Sequence, residues 1–301
     1  MKLGSLTKKL RNPDYLLRKT SEVYREVTSP LRLEPTFLII GVQKGGTSSL
    51  YEYLIQHAQI APALVKEVHF FDNHTRAHNF GKGMIWYRSH FAYSFQNLFL
   101  SAERSLTTGE ATPDYLFDPN APQRVAKYLP SAKLILLLRN PVDRAYSHYL
   151  HNVRASATYD PGREPLSFED AIAQEDERLK GEQEKLLQDS SYFSYNYSHY
   201  SYLSKGIYIK QLEKWLEFFS KEQILILKSE DFFENPPITF AQVLEFLGLQ
   251  KQALTDYTAY NTREKSDSSL SESTRRYLVS HFEPYNQSLY QLTGEDFGWN
   301  F

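Results

Sequence analysis

No cysteine occurs in the 301 residues, which excludes disulfides, thiolate nucleophiles and cysteine-ligated metals and fits a reducing compartment. An excess of either charge is also missing, since 34 Lys and Arg stand against 36 Asp and Glu for a formal net charge of -2. No global field draws such a chain to nucleic acid, so any anion site has to be built locally. The longest apolar runs fall far short of the ~20 residues that span a bilayer. The amino terminus, MKLGSLTKKLRNPDYLLRKTSEVYREVTSP, is basic in part but has no continuous apolar stretch before a small-residue cleavage site. The expectation is a cytoplasmic protein with no transmembrane segment, no secretory signal and no nucleic-acid partner.

Residues 1–35 read as an amphipathic helical arm interrupted near Pro13, with Glu22 and Glu26 breaking its basic face, so packing is favoured over a membrane-surface role. Three short apolar runs read as buried parallel strands: TFLII at 36–40, LILLL at 134–138 and ILIL at 224–227. A helical pattern follows each: SSLYEYLIQHA, PVDRAYSHYLHNVR with Pro141 in the first turn, and PPITFAQVLEFLGL ending at Gly248. Ahead of the third strand, Ile207, Leu212, Trp215, Leu216 and Phe219 form an apolar helical stripe. This alternation predicts an α/β fold, one domain over 36–301, with an open parallel sheet flanked by helices and ligands beyond the carboxyl ends of the strands. Residues 155–190 read as a solvated helical excursion, and SYFSYNYSHYSY at 191–202 is a tyrosine-rich tract that could form an aromatic wall for an acceptor or simply pack.

The stretch FLIIGVQKGGTSSL joins the first strand to its helix. Gly41 and Gly46 keep the spacing of a phosphate-binding P-loop, but Thr47 and Ser48 stand where its Lys and Ser/Thr belong, and Lys44 lies inside the loop instead. The backbone N–H groups at the helix entry still favour an anion by geometry and dipole. A magnesium nucleotide site would also need an Asp at the end of a second strand. Here LILLLRNPVDRAYSHY ends its strand in Arg139, with Ser147 two turns along the next helix, which suits a second phosphate directly. Two phosphate positions at two strand ends, with no evident magnesium ligand, are what these residues offer.

GVQKGGTSSL resembles the 5′-phosphosulfate loop of the PAPS-dependent sulfotransferases, and LLLRNPVDRAYSHY is similar to their 3′-phosphate segment. KEVHFFD at 66–72 and the closing HFEPYNQSLYQLTGEDFGWN resemble the heparan-sulfate sulfotransferase-like branch. The resemblance implies a P-loop-like three-layer fold and PAPS as cosubstrate without a metal. It implies that Lys44 meets the sulfate-bearing phosphate and bridging oxygen, that Gly45, Gly46, Thr47 and Ser48 supply backbone and hydroxyl donors, and that Arg139 and Ser147 take the 3′-phosphate. It implies Glu67 as catalytic base, supported by His69 and Asp72, and places Lys265 in a loop over the cofactor, although NTREKSDSS lacks the family's glycine there. GEATPDYLF has Ala111 where heparan-type enzymes carry a lysine, which speaks against heparan itself as substrate.

The implied reaction is sulfuryl transfer to the hydroxyl of a saccharide, polysaccharide or hydroxylated natural product, including one held on a carrier protein. Two other classes stay open at this point: a P-loop nucleotide kinase, which the displaced lysine and Arg139 disfavour, and a non-catalytic PAP- or PAPS-binding module, which Glu67 disfavours. Each residue also has an ordinary reading. Lys44 could be a solvated loop lysine, Arg139 could pair with Asp143 or Asp114, and Glu67 could be a surface carboxylate beside Lys66. His69 could be a packed histidine, and His148 and His151 could lie on a partly buried helix face rather than on a metal.

Overall fold

The strand residues Phe37–Gly41 are buried on both faces, as a central parallel strand requires. In the computed structural model, which describes residues 13–74, 78–95, 97, 105–154, 164–258, 260 and 270–299, the elements follow one another in chain order. They are α1 (Pro13–Val27), β1 (Phe37–Gly41), α2 (Thr47–Leu54), β2 (Ile60–Ala61), α3 (Gly83–Arg88), β3 (Thr107–Ala111), α4 (Ala121–Tyr128), β4 (Lys133–Leu138) and α5 (Pro141–Arg154). Then come α6 (Phe168–Ala173), α7 (Glu175–Leu179), α8 (Glu182–Gln188), α9 (Tyr195–His199), α10 (Tyr208–Leu216), β5 (Ile224–Lys228), α11 (Ser229–Glu234), α12 (Pro236–Leu247) and α13 (Glu272–Thr293).

The five strands form one sheet in the order β2-β3-β1-β4-β5, every pairing parallel. Because strand side chains alternate, Leu38 and Ile40 face one layer with Leu134, Leu136 and Leu138, against Val125 of α4, Leu212 and Trp215 of α10 and Leu289 of α13. Phe37 and Ile39 face the other with Ile135 and Leu137, against Leu50 and Leu54 of α2 and Phe240 and Val243 of α12. Each fully buried Leu, Ile or Phe contributes roughly 1.5–3 kcal/mol of transfer free energy, so these two layers carry most of the apolar stabilisation. The expected α/β fold with a helix-flanked parallel sheet is what the chain adopts.

Three strands stand within a residue of the expected runs, and β2 and β3 are additions. Helix α5 begins at Pro141 as expected, α12 ends at Gly248 with φ 74°, and α1 is described from Pro13 on, the part of the arm before it lying outside the described residues. The described part of the 155–190 region is helical and mostly exposed, as expected, but not wholly solvated. Its described helices pack through buried acids: Glu175 accepts from the N–H groups of Leu203 and Ser204 at 2.6 and 2.8 Å, and Glu164 pairs with Arg178 at 2.7 Å. Donors from Leu203 and Ser204, just past the tyrosine tract, and from Arg178 and Tyr202 Oη, the latter 2.9 Å from Glu164 Oε2, let these carboxylates leave water.

The chain leaves β1 for one side of the sheet, returns through β3, then crosses β1 to β4 on the other. The carboxyl end of β1 is therefore the switch point at which open α/β sheets bind ligands.

Candidate active site

Beyond β1 the loop 42–46 turns tightly into α2, and two glycines make the turn possible. A Cβ at Gly45 would stand 2.6 Å from the Leu137 carbonyl oxygen of β4. Gly46 has φ 97°, and a Cβ there would lie 2.7 Å from the Phe233 ring. The loop is clamped from two other strand ends: Ser229 Oγ donates to the Gly45 carbonyl at 2.8 Å, and Arg139 Nη1 donates to the Lys44 carbonyl at 2.9 Å. Gly46 caps α2 without a side chain, so the leading N–H groups of that helix are available to an anion.

This helix end opens on a cleft of about 900 Å³ lined by Lys44, Gly46, Thr47, Ser48, Glu67, Arg139 and Ser147. Residues 95 positions apart in the sequence thus face one space. Three sequence-selected residues are placed differently. Gly45 is buried beneath the loop with its N–H donated to Val42 O at 2.9 Å, and close packing explains why this position is a glycine. His69 stands behind Glu67 rather than lining the cleft, and Lys265 lies outside the described residues.

His69 Nδ1 bonds Asp72 Oδ2 at 2.7 Å, and its Nε2 approaches Glu67 Oε2 at 3.4 Å. Burial disfavours the charged ring, but Asp72 beside it, with Glu67, raises its pKa to about 11. His69 is therefore an imidazolium at neutral pH, a cation held between Asp72 and Glu67. For Glu67, burial pushes the pKa up, yet the His69 hydrogen bond and the Lys66 charge hold it below the ordinary value. His74 stacks on His69 with ring centroids 5.2 Å apart and behaves oppositely: burial lowers its pKa to about 4 despite Asp114.

These two histidines give stability a pH optimum. His69 has a folded pKa above the unfolded ~6.5, so its stabilisation is full below about pH 6.5 and is lost as pH rises. His74 has a folded pKa below that value, so its stabilisation is full above about pH 6.5 and is lost as pH falls toward 4. Urea midpoints should peak near neutrality and decline on both sides, and His69→Gln should flatten the alkaline limb. An alkaline limb unchanged in His69→Gln would assign it elsewhere.

Further cleft residues have no part in the donor site as read from the sequence: Lys66, Asp114, His151, Phe233, Tyr257 and Tyr260. Lys66 had a signal in its place next to Glu67, and Asp114 in its place just after β3. Behind Asp114 lies Lys205, its Nζ 2.7 Å from Asp114 Oδ1 and 3.0 Å from the Ser198 carbonyl; a lone lysine inside the aromatic stretch SYLSKGIYI was its trace. The ordinary pairing of Arg139 does not hold, because Asp143 pairs with Arg275 at 2.8 Å and Asp114 with Lys205. His148 is fully buried against the Tyr202 ring at 4.9 Å, and no group of three metal-binding side chains occurs among the described residues. The tyrosine tract packs instead of lining this cleft: Tyr202 is buried, and Tyr197 stacks on Phe117 at 4.4 Å.

Comparison with known proteins agrees with this geometry. Residues 34–287 match the model of the sulfotransferase domain. The chain is 30% identical over 289 residues to mouse heparan sulfate glucosamine 3-O-sulfotransferase 3B1, covering 88% of this chain and 65% of that one. It is 28% identical over 326 residues to the membrane-associated sulfotransferase kil1 of Dictyostelium discoideum, covering 88% and 66%. The chain thus spans about two thirds of the length of these curated relatives. Among its described residues no helix is long and apolar enough to cross a membrane. The crystal structure of a sulfotransferase from Alicyclobacillus acidocaldarius superposes with a TM-score of 0.68 at 29% identity, covering 89% of this chain and 99% of that one. The chain belongs to the sulfotransferase domain family.

Proposed function

We propose that this chain transfers the sulfuryl group of PAPS to a hydroxyl acceptor and releases PAP. One observation carries the reading: a single cleft places Lys44 and the uncapped start of α2 beside Arg139 and Ser147, with the ionised Glu67 facing them. Lys44 and the α2 terminus take the sulfate-bearing phosphate, and Arg139 and Ser147 take the 3′-phosphate. Phe233, half exposed, offers a flat face to the purine. Glu67 removes the acceptor proton as the acceptor oxygen bonds to sulfur. The bond between sulfur and the bridging oxygen breaks, and its electron pair leaves on PAP. Lys44 stabilises the charge developing on that oxygen. In this reading the cations of the chain supply the positive field, and no metal is assigned a role.

A saccharide hydroxyl is the acceptor class favoured by the name of the mouse relative, with hydroxylated small molecules next; the comparisons lend no support to a carrier-bound acceptor. Ala111 at the end of β3 sets heparan itself apart. The reading takes residues 1–35 as an arm and 36–301 as the sulfotransferase domain, in a cytoplasmic protein.

Calorimetry with PAP in EDTA tests it. Affinity on the order of micromolar, a usual range for substrates and cosubstrates, should be lost in Lys44→Ala and in Arg139→Ala. Absence of binding, or a strict need for Mg²⁺, would favour the kinase reading and remove this one.

A further inference from the structure

The two halves of the cleft meet at a residue with no role so far. Lys66 Nζ donates to Ser48 Oγ at 2.6 Å and lies 2.5 Å from Glu67 Oε1. One ammonium thus touches both the first turn of α2, where the donor phosphate is proposed to sit, and the proposed base. Its backbone is fixed as well, because the Ala111 N–H at the end of β3 donates to the Lys66 carbonyl at 3.0 Å. The side chain is 22% exposed and lines the cleft, unlike a surface lysine that merely screens a neighbouring carboxylate.

We infer that Lys66 is the residue that recognises the sulfuryl group of the donor, its ammonium contacting a sulfuryl oxygen between Ser48 and Glu67. The inference rests on the sulfotransferase reading above. In-line transfer requires sulfur to lie between the bridging oxygen, held from the α2 side, and the acceptor oxygen, held within reach of Glu67. The ammonium that touches both sides borders that path. It has three donors, so it can keep Ser48 and Glu67 and still meet a sulfuryl oxygen. As Glu67 takes the acceptor proton it becomes neutral, and Lys66 loses its anionic partner while charge accumulates on the departing PAP. The ammonium then acts fully on the transferring group, and Lys66 itself neither gains nor loses a proton.

PAP lacks the sulfuryl group, so the two ligands separate this role from a merely structural one. Calorimetry of PAP and of PAPS against the wild type, Lys66→Met and Lys66→Arg needs no acceptor. In Lys66→Met, PAPS should weaken by about tenfold to a hundredfold, the range for a lost charged hydrogen bond, while PAP affinity stays within about twofold; Lys66→Arg should restore most of the PAPS affinity. Equal weakening of PAP and PAPS would make Lys66 a prop for the loop, and unchanged PAPS affinity would deny the contact; either result overturns the inference. A wild type that binds neither ligand would instead remove the sulfotransferase reading, and this inference with it.

Discussion

Glu67→Gln is expected to lower sulfuryl transfer by at least ~10²-fold, the usual consequence of removing a general base, and to leave PAP affinity unchanged. The substitution keeps the shape of the side chain, and its amide oxygen still accepts from Lys66, so the cleft has no reason to collapse. What disappears is the ability to take a proton from the acceptor hydroxyl. His69 does not stand in for it, because Asp72 at 2.7 Å keeps the ring protonated whether or not Glu67 is charged. Burial raises the Glu67 pKa, but the His69 hydrogen bond and the Lys66 charge outweigh it and hold the pKa below its ordinary value, so the base form persists through neutral pH and the acid limb of the wild-type rate profile should lie below the ordinary carboxylate range. The measurement is the rate with labelled PAPS and a hydroxyl acceptor found by library screening. Near-full activity in Glu67→Gln would refute the role and return His69 to consideration.

The parts of this site that were legible in the sequence are those where local chemistry and local structure coincide. β1, β4 and β5 are short apolar runs because both faces are covered, and the P-loop-like turn betrays itself by glycines whose absent Cβ atoms the packing requires. Arg139 and Ser147 were legible because they follow an apolar strand and sit two turns into the helix after it. β3 was hidden because its sequence, TTGEA, holds a glycine and a carboxylate within a strand buried from Thr108 to Ala111. Glu110 tolerates that burial by accepting from Val68 N at 3.1 Å, Tyr87 Oη at 3.0 Å and Tyr115 Oη at 2.7 Å. Tyr115 and Thr112, which also donates to this carboxylate, lie close by in the chain, but Val68 and Tyr87 are 42 and 23 residues away, so no short window of the sequence contains the whole compensation. The same holds for Glu175, which looks solvated until Leu203 and Ser204 are brought to it. His69 shows the limit at single-residue scale. The motif KEVHFFD names the histidine, but its protonation state depends on Asp72, Glu67 and Asp114 together and on burial.

Lys205→Met is expected to destabilise the protein by about 3–5 kcal/mol, the range for removing one partner of a buried ion pair. Lys205 and Asp114 are 5% and 6% exposed, and the ammonium also reaches the Ser198 carbonyl at 3.0 Å. Burial disfavours the Asp114 carboxylate, while His74, Lys205 and His69 around it hold its pKa well below the usual range; of these the His69 imidazolium keeps its charge at pH 7 when Lys205 is gone, so Asp114 remains an anion. His74, 3.6 Å away, is neutral at pH 7 and repays little of that charge. Asp114→Asn alone should also destabilise, by stranding the ammonium, whereas Lys205→Met with Asp114→Asn should recover most of the loss, because a neutral pair needs no counter-charge. Urea denaturation of the four proteins at pH 7 gives the coupling energy directly. A cost below about 1 kcal/mol for Lys205→Met, the scale of an exposed pair, would show that water reaches Asp114 and that the pair does not organise the site. The expected cost has a functional side. Asp114 lines the cleft, while Lys205 is anchored between the tyrosine tract and α10, so the ion pair fixes one wall of the cleft from a segment 91 residues away. A Lys205 variant that still folds should therefore bind PAP more weakly without touching it, and the double variant should restore binding along with stability.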